Sequence, residues 1–235
     1  MHELDNPVWW SLNGRQRALG SATALAARFD PEISPFGGLA DGDDPARWED
    51  LALLAGPGSV VGLTGDNGPP PTSWTVLRTL AGLQMVGDRI DPRAPGSDRR
   101  DAPRDLLVPL GADDVPDMLE LVARTKPGPF LARTVEFGGY VGICRDGLLI
   151  AMAGERMRPS GHTEVSAVAT DPDHRRQGLA ELVVRKVVAG IIDRGETPFL
   201  HAEASNSGAI RLYQSIGFSV RRQVTFTILR SPDHG

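Results

Sequence analysis

Residues 164–188 read EVSAVATDPDHRRQGLAELVVRKVV, and the fold turns on how this stretch is divided. Its first seven residues alternate like a half-buried strand, Asp171-Pro172 ends them, and Leu179, Leu182, Val183, Val187 and Ile191 then recur at helical spacing. A helix from about His174 to Arg194 is expected, closed by Gly195 and Pro198. Gly178 then falls inside the first helical turn, where glycine costs ~1 kcal/mol against alanine. That cost is tolerable if something must approach the backbone closely. A first turn leaves N–H groups without acceptors at the positive end of the helix dipole, so the junction is prepared for phosphate, and Arg175 and Arg176 add charge. Taken alone, a capped helix with two solvated arginines is the simpler account.

The flanking sequence supplies the context. Upstream, GYVGICRDGLLIAMAGERMR (139–158) is two apolar strands around Asp146-Gly147, a hairpin signal, and Pro159-Ser160-Gly161 turns into HTEVSAVAT (162–170). A three-stranded antiparallel meander follows. Downstream, PFLHAEA (198–204) is a strand reached through a helix, so it should run parallel to its predecessor by a right-handed crossover. Asn206 starts a shorter helix that Gly217 stops, and FSVRRQVTFTIL (218–229) closes the sheet. Before the meander, DLLVPL (105–110) is a short strand, and Asp113 or Asp114 caps a helix through Met118, Leu119 and Val122. The fold class is mixed α/β, a mostly antiparallel sheet with flanking helices.

Residues 88–104, DRIDPRAPGSDRRDAPR, have the composition of a solvated linker and divide the chain into 1–87 and 105–235. All four tryptophans lie in the first part, an α/β region with helices expected at 13–29 and 45–54 and strands at SVVGL (59–63) and WTVLRTLAGLQMV (74–86). It is read as a degenerate half-domain that completes an acceptor cleft or a homodimer contact. The glycines of residues 56–68 match neither a dinucleotide fingerprint nor a Walker sequence, and turns explain them.

With 40% hydrophobic and 23% charged residues in 235, the chain reads as an ordinary soluble globular protein. A net charge of −5 with no basic half argues against nucleic acid as a partner. No apolar run approaches the ~20 residues of a membrane span, and the acidic start lacks the form of a secretory signal, so a cytoplasmic location is expected. The single cysteine, Cys144, excludes a disulfide framework or a multi-cysteine metal site, and no metal is implied.

Residues 164–180 followed by NSGAIRLYQSIGF (206–218) resemble the acyl-CoA motif and the second signature block of the GCN5-related N-acetyltransferase (GNAT) superfamily, most closely its FR47-like branch. The resemblance covers about Asp105 to Arg230. It implies an N-acyltransferase using acetyl-CoA as cosubstrate and an amine as acceptor. It also implies that the coenzyme's diphosphate rests on the backbone amides of Arg176, Gln177, Gly178, Leu179, Ala180 and Glu181, and that its pantetheine arm pairs with the strand edge at Val168, Ala169 and Thr170. That edge should be freed by splaying from the next strand. Asn206 matches a coenzyme contact and is equally a helix cap.

Direct attack of an amine on a thioester needs proximity, a donor for the developing oxyanion and proton management. Tyr213, on the inward face of its helix with Ala209 and Ile216, is the candidate proton donor to the departing thiolate. For the base, Glu164 matches a position where some relatives carry a catalytic glutamate, and His201 matches one where others do. Histidine accepts protons near neutrality without special tuning, whereas Glu164 needs burial to raise its pKa. A non-catalytic acyl-CoA sensor is the alternative from another class.

Overall fold

The computed structural model describes residues 2–91 and 107–233, so most of the linker at 88–104 lies outside the described residues. Among the described residues eleven strands and five helices follow in chain order. β1 (Gly20–Ala22), β2 (Ala26–Phe29) and β3 (Gly37–Leu39) form a small antiparallel sheet, preceded by α1 (Pro7–Leu12) and followed by α2 (Ala46–Ala55). The large sheet contains β4 (Val60–Thr64), β5 (Thr75–Val86), β6 (Leu107–Pro109), β7 (Val141–Arg145), β8 (Leu148–Glu155), β9 (His162–Thr170), β10 (Thr197–Glu203) and β11 (Ser219–Arg230). Its order is β4-β11-β5-β10-β9-β8-β7-β6. β9 and β10 run parallel and the other neighbours antiparallel. The remaining helices are α3 (Val115–Thr125), α4 (Leu179–Asp193) and α5 (Ser207–Ile216). None of the described helices is long and apolar enough to cross a membrane.

The meander and the crossover form as the sequence predicts. Asp146 and Gly147 have φ of 52° and 79°, the two left-handed residues of a type I′ turn. On β10 the side chains alternate: Leu200 and Ala202 face α4 and α5, while Phe199 lies in the opposite core with Met118 and Leu121 of α3 and Leu4, Val8 and Leu12 from the N-terminus. Residues from both sides of the 88–104 stretch thus share one core.

They also share one sheet. β5 lies between β10 and β11, pairing Glu203↔Gly82 on one side and Val224↔Gly82 on the other. Met85 and Gln84 of β5 are almost completely buried.

The helix expected at 13–29 does not form. Residues 20–22 and 26–29 are instead the hairpin β1–β2, closed by Thr23, whose hydroxyl accepts the N–H groups of Leu25 and Ala26. A Cβ on Gly20 would stand 2.2 Å from the Arg28 carbonyl oxygen, an approach of two backbones that only glycine permits. Tertiary pairing of β2 with β1 and β3 overrides the helix propensity of its alanines. The actual helix is α1, with Pro7 in its first turn.

Candidate active site

β9 and β10 pair only from Thr197↔His162 to Phe199↔Glu164. Beyond these three pairs β10 remains bonded to β5, while β9 carries a bulge: residues 167 and 168 together oppose Ala153, and Ala167 has φ of 52°. A bulge bends its strand and increases local twist. The result is a wedge between residues 165–170 and 200–203, whose facing main-chain groups have no strand partner, so the expected splay is present. Thr170 Oγ1 is buried there without a hydrogen-bond partner among the described residues.

The loop that follows β9 ends at α4. Asp171 begins it, accepting the Asp173 N–H at 3.0 Å, and a short 3-10 turn covers Pro172–His174. Arg176 and Gly178 are both left-handed, with φ of 63° and 78°. Gly178 is therefore the residue before the helix, and not within its first turn as the sequence suggests. Glycine's tolerance of positive φ explains its presence better than a close ligand approach does. No side chain caps α4, and the first-turn N–H groups of Leu179, Ala180 and Glu181 have no intrahelical acceptor. Arg175, Arg176 and Gln177 are exposed around them, and Gln177 Oε1 accepts Arg145 Nη1 at 3.1 Å. The Glu181 carboxylate is turned aside onto Arg185 at 2.9 Å.

Tyr213 is buried in the large apolar cluster that also contains Leu179, with Val168 and Ala209 packed against it. Its ring meets Phe218 edge-on at 6.2 Å. Burial pushes its hydroxyl up to about 12. Asn206 caps α5, accepting the Ala209 N–H at 3.1 Å. Ala169 packs on the opposite face, in the core with α3.

Glu164 and His201 are adjacent, but deep in the sheet. Arg156 grips Glu164 with two hydrogen bonds of 2.6 and 2.8 Å, and His201 Nδ1 lies 2.7 Å from Glu164 Oε1. Gln84 uses its amide nitrogen on the Leu4 carbonyl (2.6 Å) and His201 Nε2 (3.0 Å), while its oxygen accepts Arg221 Nη1 (2.7 Å). An amide nitrogen only donates, so His201 accepts at Nε2 and donates from Nδ1 to Glu164. The side chains of His201 and Glu164 are 2% and 0% exposed. Burial by itself would raise the Glu164 pKa, but the Arg156 charge, its hydrogen bonds and the contact with His201 outweigh it and bring the group to about 2. The raised pKa that a glutamate base requires is absent.

Arg156 and Gln84 complete the buried Glu164–His201 network, and sequence reasoning missed both. A glutamine inside the apolar strand LAGLQMV is a signal, because a buried amide needs partners.

In comparisons with known proteins, residues 140–227 match the family model described as FR47-like protein. The chain is 41% identical to a protein of Novosphingobium aromaticivorans assigned to the GNAT family of acetyltransferases, covering 97% of this chain and 98% of that one, with a TM-score of 0.84. The chain belongs to the GNAT family. This GNAT chain is also 42% identical over 53 residues to the ribosomal protein bS18-alanine N-acetyltransferase of Escherichia coli (22% of this chain, 36% of the relative). Over 67 residues it is 34% identical to the catalytic subunit of the N-terminal acetyltransferase B complex of Arabidopsis thaliana (28% and 38%). It thus spans little more than a third of the length of these curated relatives.

Proposed function

We propose that the protein transfers an acetyl group from acetyl-CoA to an amine by direct attack. The observation that carries this reading is the wedge beside an uncapped helix start: unpaired strand edge, left-handed Arg176 and Gly178, and free first-turn amides lie in sequence along one path. Acetyl-CoA fits such a path, since a diphosphate needs clustered N–H donors and an amide-bearing arm can pair with a strand edge. Bound there, it supplies an activated acyl carbon. An edge N–H of β9 donates to the thioester oxygen as charge builds on it.

In the reaction the amine nitrogen forms a bond to the acyl carbon, the carbon–sulfur bond breaks, and the amine's proton passes to water in the wedge. Glu164 and His201 are not the acceptor in this account. Their sealed network holds β9 and β10 together where the wedge begins. Tyr213 donates a hydrogen bond to the departing sulfur. Complete proton transfer from it is uphill, because a thiol's pKa is roughly 8.5, below even an unperturbed phenol near ~10. Solvent therefore completes protonation of the thiolate.

Amines at the α-carbon of an amino acid, such as peptide N-termini, head the list of acceptors, because both partial relatives are named for N-terminal or alanine acetylation. The test is thiol release from acetyl-CoA across peptide N-termini, free amino acids and small polyamines. Turnover with at least one class is expected, and binding of acetyl-CoA without release in any would contradict the proposal. In the responsive assay Tyr213→Phe should lower kcat by about 100-fold with little change in the KM for acetyl-CoA. Unchanged kcat would remove Tyr213 from the reaction.

A further inference from the structure

Helix α3 and the loop after β9 are joined by a half-hidden ion pair. Arg124, in the last turn of α3, donates from Nε to Asp171 Oδ2 at 2.7 Å and from Nη2 to the Leu149 carbonyl at 3.2 Å. The Asp171 side chain is only 8% exposed. Every polar group of Asp171 is engaged. Its other carboxylate oxygen holds the Asp173 N–H, its own N–H donates to the Ile150 carbonyl at 2.8 Å, and its carbonyl accepts the His174 N–H at 2.9 Å. The loop therefore leaves the sheet at a residue whose orientation is set from three sides: β8, the 3-10 turn and α3. Removing Arg124 takes away the α3 side and leaves a nearly buried carboxylate without that cation, a costly state that the loop can relieve by turning the carboxylate toward water. Such a turn releases the Asp173 cap and redirects residues 172–178, whose pose aims the amides of 178–181.

We propose that Arg124 is a positioning residue for acyl-CoA: by pinning Asp171 against α3 and β8, it holds the loop in the pose that presents its amides to the diphosphate. This rests on the acyl-CoA reading above. Because the hydrogen bonds of Arg124 among the described residues go to Asp171 and the Leu149 carbonyl, and none to Tyr213, its effect falls on cofactor affinity and leaves the chemical step alone.

Calorimetric titration of coenzyme A into wild type, Arg124→Met, Asp171→Asn and the double variant tests this. Each single change should weaken binding about tenfold, and the double variant should bind no worse than the weaker single, as expected of two residues acting through one contact. The KM for acetyl-CoA should rise by the same factor with kcat nearly constant, and Arg124→Lys should recover part of the loss because it restores the charge. Additive losses, an equal fall in kcat, or unaltered binding by Arg124→Met would overturn the positioning role. Failure of the wild type itself to bind coenzyme A would instead overturn the acyl-CoA reading.

Discussion

A chain beginning at Arg104 is expected not to fold. Such a chain lacks β5, and with it eleven paired positions on β11, from Ser219↔Val86 to Arg230↔Thr75, and the pairing of residues 199–203 on β10. Two long strand edges would be exposed in the middle of the sheet, a recognised route to aggregation. The core suffers as well, because Leu4, Val8, Leu12 and Phe29 pack with Met118, Leu121, Phe137 and Phe199. Each fully buried side chain of that kind contributes roughly 1.5–3 kcal/mol, and a domain's net stability is only about 5–15 kcal/mol. The deficit from these groups alone reaches that margin. Polar contacts vanish too: Gln16 donates to the Arg156 carbonyl, Ser11 and Gln16 accept the Arg158 N–H, and Asp30 pairs with Arg133 at 2.8 Å. The check is far-UV circular dichroism with thermal melting. Insoluble protein or a melt without cooperativity is expected, and a cooperative transition with coenzyme A binding would show that residues 1–103 are dispensable.

The second large effect concerns Glu164→Gln. An amide cannot neutralise Arg156, whose side chain is 11% exposed, so a charge would remain buried without its counter-ion. Breaking one half of a buried pair costs about 3–5 kcal/mol, which for a chain of this size lowers Tm by roughly 6–20 °C. Replacing both partners, as in Glu164→Leu with Arg156→Met, should recover much of the loss, since the pair's desolvation cost disappears with it. Acid titration gives a second signature. A carboxyl whose pKa is lower folded than unfolded stabilises the fold above its unfolded value, near ~4.3, and that stabilisation drains away as pH falls toward the folded value of about 2. Wild type should therefore lose stability steeply between those limits, and Glu164→Gln should lose less over the same interval. Equal Tm values in the two proteins, or parallel acid profiles, would contradict the ion pair. A displaced pH–rate profile in the folded variant would restore Glu164 as a base.

The parts of this fold that are legible in the sequence are those fixed by local chemistry. Asp146-Gly147 demands positive φ and forms its hairpin, and the periodicity of Leu179, Val183, Val187 and Ile191 locates α4. The splay is legible because the family resemblance implies it, whereas Gly178 is expected inside the helix and stands before it, since periodicity does not reveal its positive φ. Pairing between distant strands is not local. The charged and proline-rich residues 88–104 announce a solvated connection, yet composition carries no information on where β5 inserts, which depends on Glu203, Gly82 and Val224 meeting across the sheet. The same limit hides Arg124, whose partner is 47 residues away. Glu164 and His201 are legible as unusual residues in apolar strands, but their role depends on Arg156 and Gln84, which strand alternation does not bring together. In the segment 20–29, alanine content favours a helix and backbone pairing around Gly20 and Thr23 decides otherwise.

A crystal structure of the protein grown with coenzyme A addresses the central claim most directly. The account predicts the diphosphate on the main-chain amides between Arg176 and Glu181 and the pantetheine arm along β9 at residues 168–170. A diphosphate held elsewhere, or that stretch of chain closed against the ligand in crystals where coenzyme A is visibly bound, would contradict it.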